Sequence, residues 1–164
     1  MVFGWLFGEK KRQETSTPDV RALLSQADEA TNKHEVARGE SLCRDLIKLA
    51  PDNPDAWNML GVNLIRRDVT DPEMRAEAVI AWMRALALRP GDSRAADHLQ
   101  AELQFPDELV GGLVARLGRA APSGEDAAAV LAQIGVRAKA ALQAATRAEG
   151  AAAERARSLL ATIG

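Results

Sequence analysis

The side chains in this sequence that most often carry chemistry are one cysteine and two histidines. Both residue types bind transition metals, and a cysteine also acts as a nucleophile when its thiolate is stabilised. His34 and His98 lie far apart, and neither has a second ligand at a metal-binding spacing such as H-x-x-x-H. Cys43 is alone, which excludes an internal disulfide and a zinc site made of several cysteines. We therefore predict no catalytic residue, no metal site and no cofactor.

The composition is that of an ordinary folded protein. Hydrophobic residues make up 47% of the chain and charged residues 27%, which is too apolar for a disordered protein. A formal net charge of −2 argues against a nucleic-acid partner, because neutralising phosphates requires a concentrated basic face. No apolar run approaches the about 20 residues that a membrane-spanning helix needs. We predict a cytoplasmic location, with a peripheral position at a membrane as the alternative.

Two segments of the chain, residues 45–51 and 84–90, repeat each other and end in Pro51 and Pro90. The sequence between them reads Trp57-x-x-Leu60-Gly61-x-x-Leu64, then Ala78-x-x-x-Trp82-x-x-Ala85. Residues three, four or seven positions apart share one face of a helix. The pattern therefore predicts two helices that pack small side chains against large ones, with the closing proline ending the second helix.

This pattern resembles the tetratricopeptide repeat, in which W-x-x-L-G-x-x-Y is followed by A-x-x-x-F and a proline. Leu64 and Trp82 stand in for the usual aromatic residues. The resemblance covers about residues 20–120, and it implies an all-α solenoid of about three helix pairs. The distance from Pro51 to Pro90 is 39 residues, against 34 in a standard repeat.

The extra residues lie in the polar stretch 66–73, which we interpret as an enlarged surface turn. A contact with a partner is the alternative interpretation of this stretch. Thr70 or Asp71 is expected to cap the following helix, with Pro72 in its first turn.

Weaker copies of the pattern flank this unit, so we assign residues 19–120 to one repeat domain. In the first copy Leu23 and Ala27 match Trp57 and Gly61, and Gly39, Cys43 and Leu46 match Ala78, Trp82 and Ala85. Cys43 then falls on the core face, which predicts a packed side chain rather than a nucleophile. A third copy runs from about Ser93, the expected cap, to Ala120, with an apolar stripe through Ala96, Leu99 and Leu103. Gly111 or Gly112 is expected to allow the close approach of a neighbouring helix.

The alanine-rich region 121–164 predicts further helix, starting near Ser123 and broken at Gly150. Whether it forms one helix or two stays open. In one interpretation its first part closes the last repeat. In the other, the helices associate with copies of the same chain through a narrow stripe. The stripe consists of Leu131, Ile134, Ala138, Ala141, Ala145, Ala148 and Ala152.

The N-terminal region 1–18 forms a tail and linker that is rich in aromatic residues at its start and basic after it. Three of the six Phe and Trp residues lie within the first eight positions, ahead of Lys10, Lys11 and Arg12. Such a cluster predicts a docking motif for a partner protein, and weak contact with a membrane interface is an alternative. A tail that is disordered or packed on the protein's own helices is the third possibility. The candidate partner-binding residues here are Phe3, Trp5, Leu6 and Phe7.

The resemblance implies a binding groove along the first helix of each pair. By their places in the repeat, the candidates are Arg21, Leu24, Asp28, Asn58, Val62, Ile65, Arg66, Arg94 and Asp97. We predict a non-catalytic adaptor or assembly subunit of a larger, bacterial-style protein complex, which binds one or more proteins. The alternative is a scaffold subunit that forms homo-oligomers through its C-terminal helices and is tethered to a membrane or core particle by its N-terminal segment.

Overall fold

The computed structural model describes residues 17–120 and 122–163, and all regular secondary structure in these residues is helical. The first two helix pairs are α1 (Thr17–Asn32) with α2 (Val36–Leu49), and α3 (Pro54–Arg67) with α4 (Pro72–Leu88). The later helices are α5 (Ser93–Leu103), α6 (Pro106–Arg116), α7 (Ser123–Ile134), α8 (Lys139–Ala145) and α9 (Ala151–Ile163), with a 3-10 turn at Gly135–Ala138. The predicted all-helical fold class is confirmed for these residues.

Helix starts are fixed by short polar side chains. Asn53, Asp71 and Asp92 cap α3, α4 and α5, and each accepts hydrogen bonds from the backbone N–H groups two and three residues later. The predicted cap at Asp71 and the proline in the first turn of α4 are confirmed. The prediction of Ser93 as the cap of α5 was wrong by one residue, because the carboxylate of Asp92 reaches those N–H groups first.

The extra residues of the long repeat lengthen the helices instead of enlarging the turn. α3 continues to Arg67 and α4 begins at Pro72, so only residues 68–71 connect them. Thr70 donates hydrogen bonds from its backbone N–H and its hydroxyl to Asp68, which closes this turn. The predicted enlarged turn at 66–73 was therefore wrong. The capping side chain and the proline start α4 early, and the excess becomes helix.

The core of the second pair depends on one close approach. A Cβ built on Gly61 would lie 2.6 Å from the ring of Trp82, so only glycine fits there. Trp82 is 2% exposed, and its Nε1 donates a hydrogen bond of 3.2 Å to the backbone oxygen of Asn58. Leu60 and Leu64 are buried as predicted. Trp57 is only half-buried, because its Nε1 donates to the oxygen of Pro51 in the α2–α3 connection.

The first pair buries polar as well as apolar side chains. Cys43 and Leu46 are fully buried, as the register predicts. Burial raises the pKa of the Cys43 thiol to about 12, so the thiol is protonated at neutral pH and packs as a small hydrophobic group. Asn63 of α3 reaches into this pair, and its Nδ2 donates hydrogen bonds to Thr31 Oγ1 and to the oxygen of Met59.

The third pair is assembled differently from the second. α6 packs mainly against α4 and touches α5 only weakly. A Cβ on Gly112 would collide with the backbone oxygen of Pro72, so Gly112 is the predicted close-approach glycine, but it approaches α4. On α5 the fully buried side chain is Ala95, and the Ala96 of the predicted stripe is exposed.

The C-terminal helices fold back onto the helices before them. α9 packs against α8, α7 and α6 and buries Ala153 and Ala156. The predicted break at Gly150 is confirmed, with a φ of 96° that favours glycine. Gly135, with a φ of 64°, divides the region a second time. Most of the predicted stripe is thus used inside the chain, where Leu131 and Ala138 are fully buried. Four more of its residues are partly buried against the core, namely Ile134, Ala141, Ala145 and Ala152.

Candidate functional site

A cleft of about 350 Å³ lies along α1, α3 and α5, the first helix of each pair. Its walls consist of Arg21, Leu24, Ser25, Asp28, Asp55, Asn58, Met59 and Arg94. The structure thus brings together five of the predicted groove residues from three helices. These five are Arg21, Leu24, Asp28, Asn58 and Arg94.

Three of the charged residues occupy equivalent places in the three helices. Arg21, Asp55 and Arg94 each lie two residues before the position that Trp57 has in the second pair. Successive first helices therefore present them as a row along the cleft. The sequence interpretation missed Asp55, although the register that identified Arg21 and Arg94 points to it as well.

The negative charge of the Asp55 carboxylate is already paired with two arginines. Arg89 donates two hydrogen bonds to it, at 2.8 and 2.9 Å, and Arg94 donates a third at 3.3 Å. The Arg89 hydrogen bonds, together with the charges of both arginines, outweigh partial burial and lower the pKa of Asp55. These contacts connect α3 to the start of α5 and hold one end of the cleft.

The other end of the cleft keeps its charges available. Within residues 17–120 and 122–163, the guanidinium of Arg21 has no hydrogen-bond or ion-pair partner. Asp28 accepts a hydrogen bond of 3.1 Å from the neutral side chain of Asn32. Among the described residues, a ligand therefore meets an unpaired cation and an anion without a counter-ion on the same helix.

Asn58 supplies the buried polar group of the cleft. It is 5% exposed, and its Oδ1 accepts no hydrogen bond from the part of the chain that the structure describes. An unsatisfied buried polar atom costs about 1–3 kcal/mol. Asn58 therefore gains from any rearrangement or ligand that gives its amide a partner.

The structure places the other predicted groove residues outside the cleft. Val62 and Ile65 are half-buried and pack against the core. Arg66 donates a hydrogen bond of 2.5 Å to the backbone oxygen of Thr31, and so binds a carbonyl in the last turn of α1. Asp97 is exposed on α5. The predicted N-terminal residues Phe3, Trp5, Leu6 and Phe7 lie outside the described residues.

Residues 17–120 and 122–163 contain no group of three or more His, Cys, Asp or Glu side chains placed to hold a metal ion. No helix in these ranges combines the length and the hydrophobicity needed to cross a membrane. Comparisons of the chain with protein-family models, with curated proteins and with solved structures found no match.

Proposed function

We propose that this chain is a non-catalytic adaptor of the tetratricopeptide-repeat type that binds a segment of another protein in the cleft along α1, α3 and α5. The solenoid comprises about three helix pairs in residues 19–120, and residues 121–164 close it. The observation that carries the proposal is that a single cleft collects side chains from the first helix of all three pairs. A surface shared by successive units is what a stack of helix pairs offers to an extended partner.

The chemistry of the cleft favours a polypeptide segment with mixed side chains. Leu24 and Met59 give an apolar strip, Arg21 and Asp28 give charges of both signs, and Asn58 gives a buried amide. An amide side chain matches both the donor and the acceptor of a peptide group. Apolar pockets with a few placed polar groups are the usual form of a specific binding site.

The test is affinity capture with the full-length chain and a matched pair of charge reversals. Arg21→Glu changes the unpaired cation of the cleft. Arg38→Glu makes the same change on the exposed surface of α2, where Arg38 forms an ion pair with Glu35. We expect a partner that the wild-type chain captures to be lost with Arg21→Glu and kept with Arg38→Glu. A partner kept equally by both variants would contradict the cleft as its binding site.

The described C-terminal helices support the closing role over self-association. Leu131 and Ala138, which would line an association stripe, are buried within one chain. Homo-oligomers through these helices and weak membrane contact by residues 3–7 stay predictions. Sedimentation of the full-length chain tests the first, and flotation with anionic vesicles tests the second.

A further inference from the structure

A second pocket, of about 290 Å³, is formed by α2, α3, α4, α6 and the start of α7, and it shares no residue with the cleft. Its floor is apolar and consists of Ile47, Trp57, Leu60, Ile80 and Ala81. Arg44, Glu77 and Arg116 lie around this floor. The pocket therefore combines an apolar floor with an ionic wall.

The ionic wall is part of a network of ion pairs in which three arginines share two carboxylates. Glu40 accepts from Arg67 and Arg44, at 3.0 and 3.1 Å. Glu77 accepts from Arg44 at 2.7 Å and from Arg116 at 3.0 Å. The network therefore carries one positive charge in excess.

The carboxylates that line the pocket are already paired and do not compensate this charge. Burial would raise the pKa of Glu77, but the hydrogen bond from Arg44 and the charges of Arg44 and Arg116 lower it, so Glu77 is already ionised and paired. Asp126, also on the rim, forms its own ion pair with Arg84 at 2.7 Å. Lys48 adds another cation to the lining and is paired with Asp45 outside it.

Arg116 carries one donor that has no partner. The residue is 6% exposed, and its Nη2 donates to the oxygen of Glu73 and to Glu77. Its Nε is buried and has no acceptor among the described residues. Guanidinium groups pair more strongly with carboxylates than with neutral acceptors, so a carboxylate is the group that suits the arginines lining this pocket.

We propose that this pocket binds a small organic acid with one carboxylate and an aromatic or aliphatic body. The carboxylate pairs with Arg116 and Arg44, and the body covers the floor formed by Trp57, Leu60 and Ile80. A monoanion matches the single excess charge of the network. A neutral ligand would leave the excess charge without a counter-ion, and an amine would be repelled by the arginines. This inference is independent of the function proposed for the cleft.

The test uses the ¹⁵N-labelled full-length chain and 3-phenylpropionate as the probe. Trp57 lies in the pocket, and its indole N–H signal is one of only three tryptophan signals in the chain. We expect a saturable shift of this signal with the acid, and at least about tenfold weaker binding of 3-phenylpropanamide, which lacks the charge. 3-Phenylpropylamine is expected not to bind. Equal affinity for the acid and the amide, or no shift of the Trp57 signal with the acid, would overturn the proposal.

Variants then identify which arginines bind the carboxylate of the acid. Arg116→Gln should reduce the affinity for the acid about tenfold, to that of the amide. Arg44→Gln repeats the test at a side chain that is 41% exposed. We expect this variant to fold even if Arg116→Gln unfolds the protein. Arg38→Gln, at an exposed arginine of α2 outside the pocket, is the control and should leave acid binding unchanged. An Arg44→Gln protein that is folded and binds the acid like the wild type would contradict the assignment. If Arg21→Glu keeps the captured partner while acid binding behaves as expected, only the proposal for the cleft is contradicted.

Discussion

The second and third helix pairs are held together by different contacts. In the second pair, α3 and α4 pack against each other, and the ring of Trp82 fills the space left open at Gly61. In the third pair, α5 and α6 barely touch, and both pack against α4 instead. The motif residues thus explain contacts within one pair, whereas the third pair depends on its neighbour.

The extra residues of the long repeat provide much of that dependence. They give α4 an earlier start, and the backbone of Pro72 lies directly against Gly112 of α6. Arg75, in the same first turns of α4, forms ion pairs with Glu102 and with Glu108. A longer period is therefore linked to the attachment of the next helix pair, rather than to a surface loop.

Trp82 contributes to both arrangements, so its loss should have the largest effect. Within the second pair, the ring packs against Gly61 of α3. Towards the third pair, it stacks on His98 of α5 with a centroid distance of 5.0 Å. Trp82→Ala should lower the free energy of unfolding by about 3–5 kcal/mol, measured by urea denaturation. Trp57→Ala, at the half-buried tryptophan of the same pair, is the comparison and should cost less. Equal losses of unfolding free energy in the two variants would contradict the role of Trp82 in joining the second and third pairs.

The attachment of the third pair can be broken separately at its glycine. Gly112→Ala puts a methyl group against the backbone oxygen of Pro72, which cannot move aside cheaply, and should cost about 1–3 kcal/mol. Gly111→Ala is the matched control, because a Cβ there meets nothing within 4 Å. Alanine favours helix over glycine, so the control should raise the melting temperature. A Gly112→Ala protein as stable as the control would mean that α6 does not approach α4 so closely.

The stacking of His98 on Trp82 stabilises the packing of α5 against α4. His98→Ala should cost about 0.5–1.5 kcal/mol, the usual value of an aromatic pair. Gln100→Ala, an exposed position on the same helix, should be nearly neutral in thermal denaturation. If the two variants have the same melting temperature, α5 is held in place by its other contacts.

The smallest effect concerns the ion pairs that link α3 to α5. The folded pKa of Asp55 lies below its ordinary value of 3.8, so these pairs stabilise the fold at neutral pH. The stabilisation is lost as the pH falls from about 5 through the folded pKa, since the protonated carboxyl no longer attracts Arg89 and Arg94. Asp55→Asn should remove up to about 1 kcal/mol at pH 7 and make the acid loss of stability shallower. Asp52→Asn, on the exposed turn before α3, is the matched control and should leave the melting temperature at pH 7 unchanged.

Local signals made much of the fold predictable. Asp71 with Pro72 starts α4, and α2 and α4 end shortly before Pro51 and Pro90, because caps and prolines act within one turn of helix. The choice of partner for α6 is not local. Gly112 indicates a close approach, but whether α4 or α5 makes it depends on the length that the preceding residues add to α4.

The cleft was predictable to the extent that the repeat register holds. Arg21 and Arg94 were found because they occupy one position in successive units, and Asp55 follows from the same rule. Arg66 shares the predicted face, but its long side chain turns to the carbonyl of Thr31 and leaves the cleft. The direction taken by a flexible side chain depends on acceptors elsewhere in the fold, which spacing along one helix does not reveal.

The buried thiol of Cys43 makes this chain convenient for site-directed labelling. Maleimides and methanethiosulfonates react with exposed thiolates, and the single native thiol is fully buried and protonated at neutral pH. Cysteines introduced in place of Arg21 and Arg94 are therefore the positions that fluorophores or spin labels will modify, without prior removal of the native cysteine. The width of the cleft then becomes a distance that can be followed in solution as partners are added.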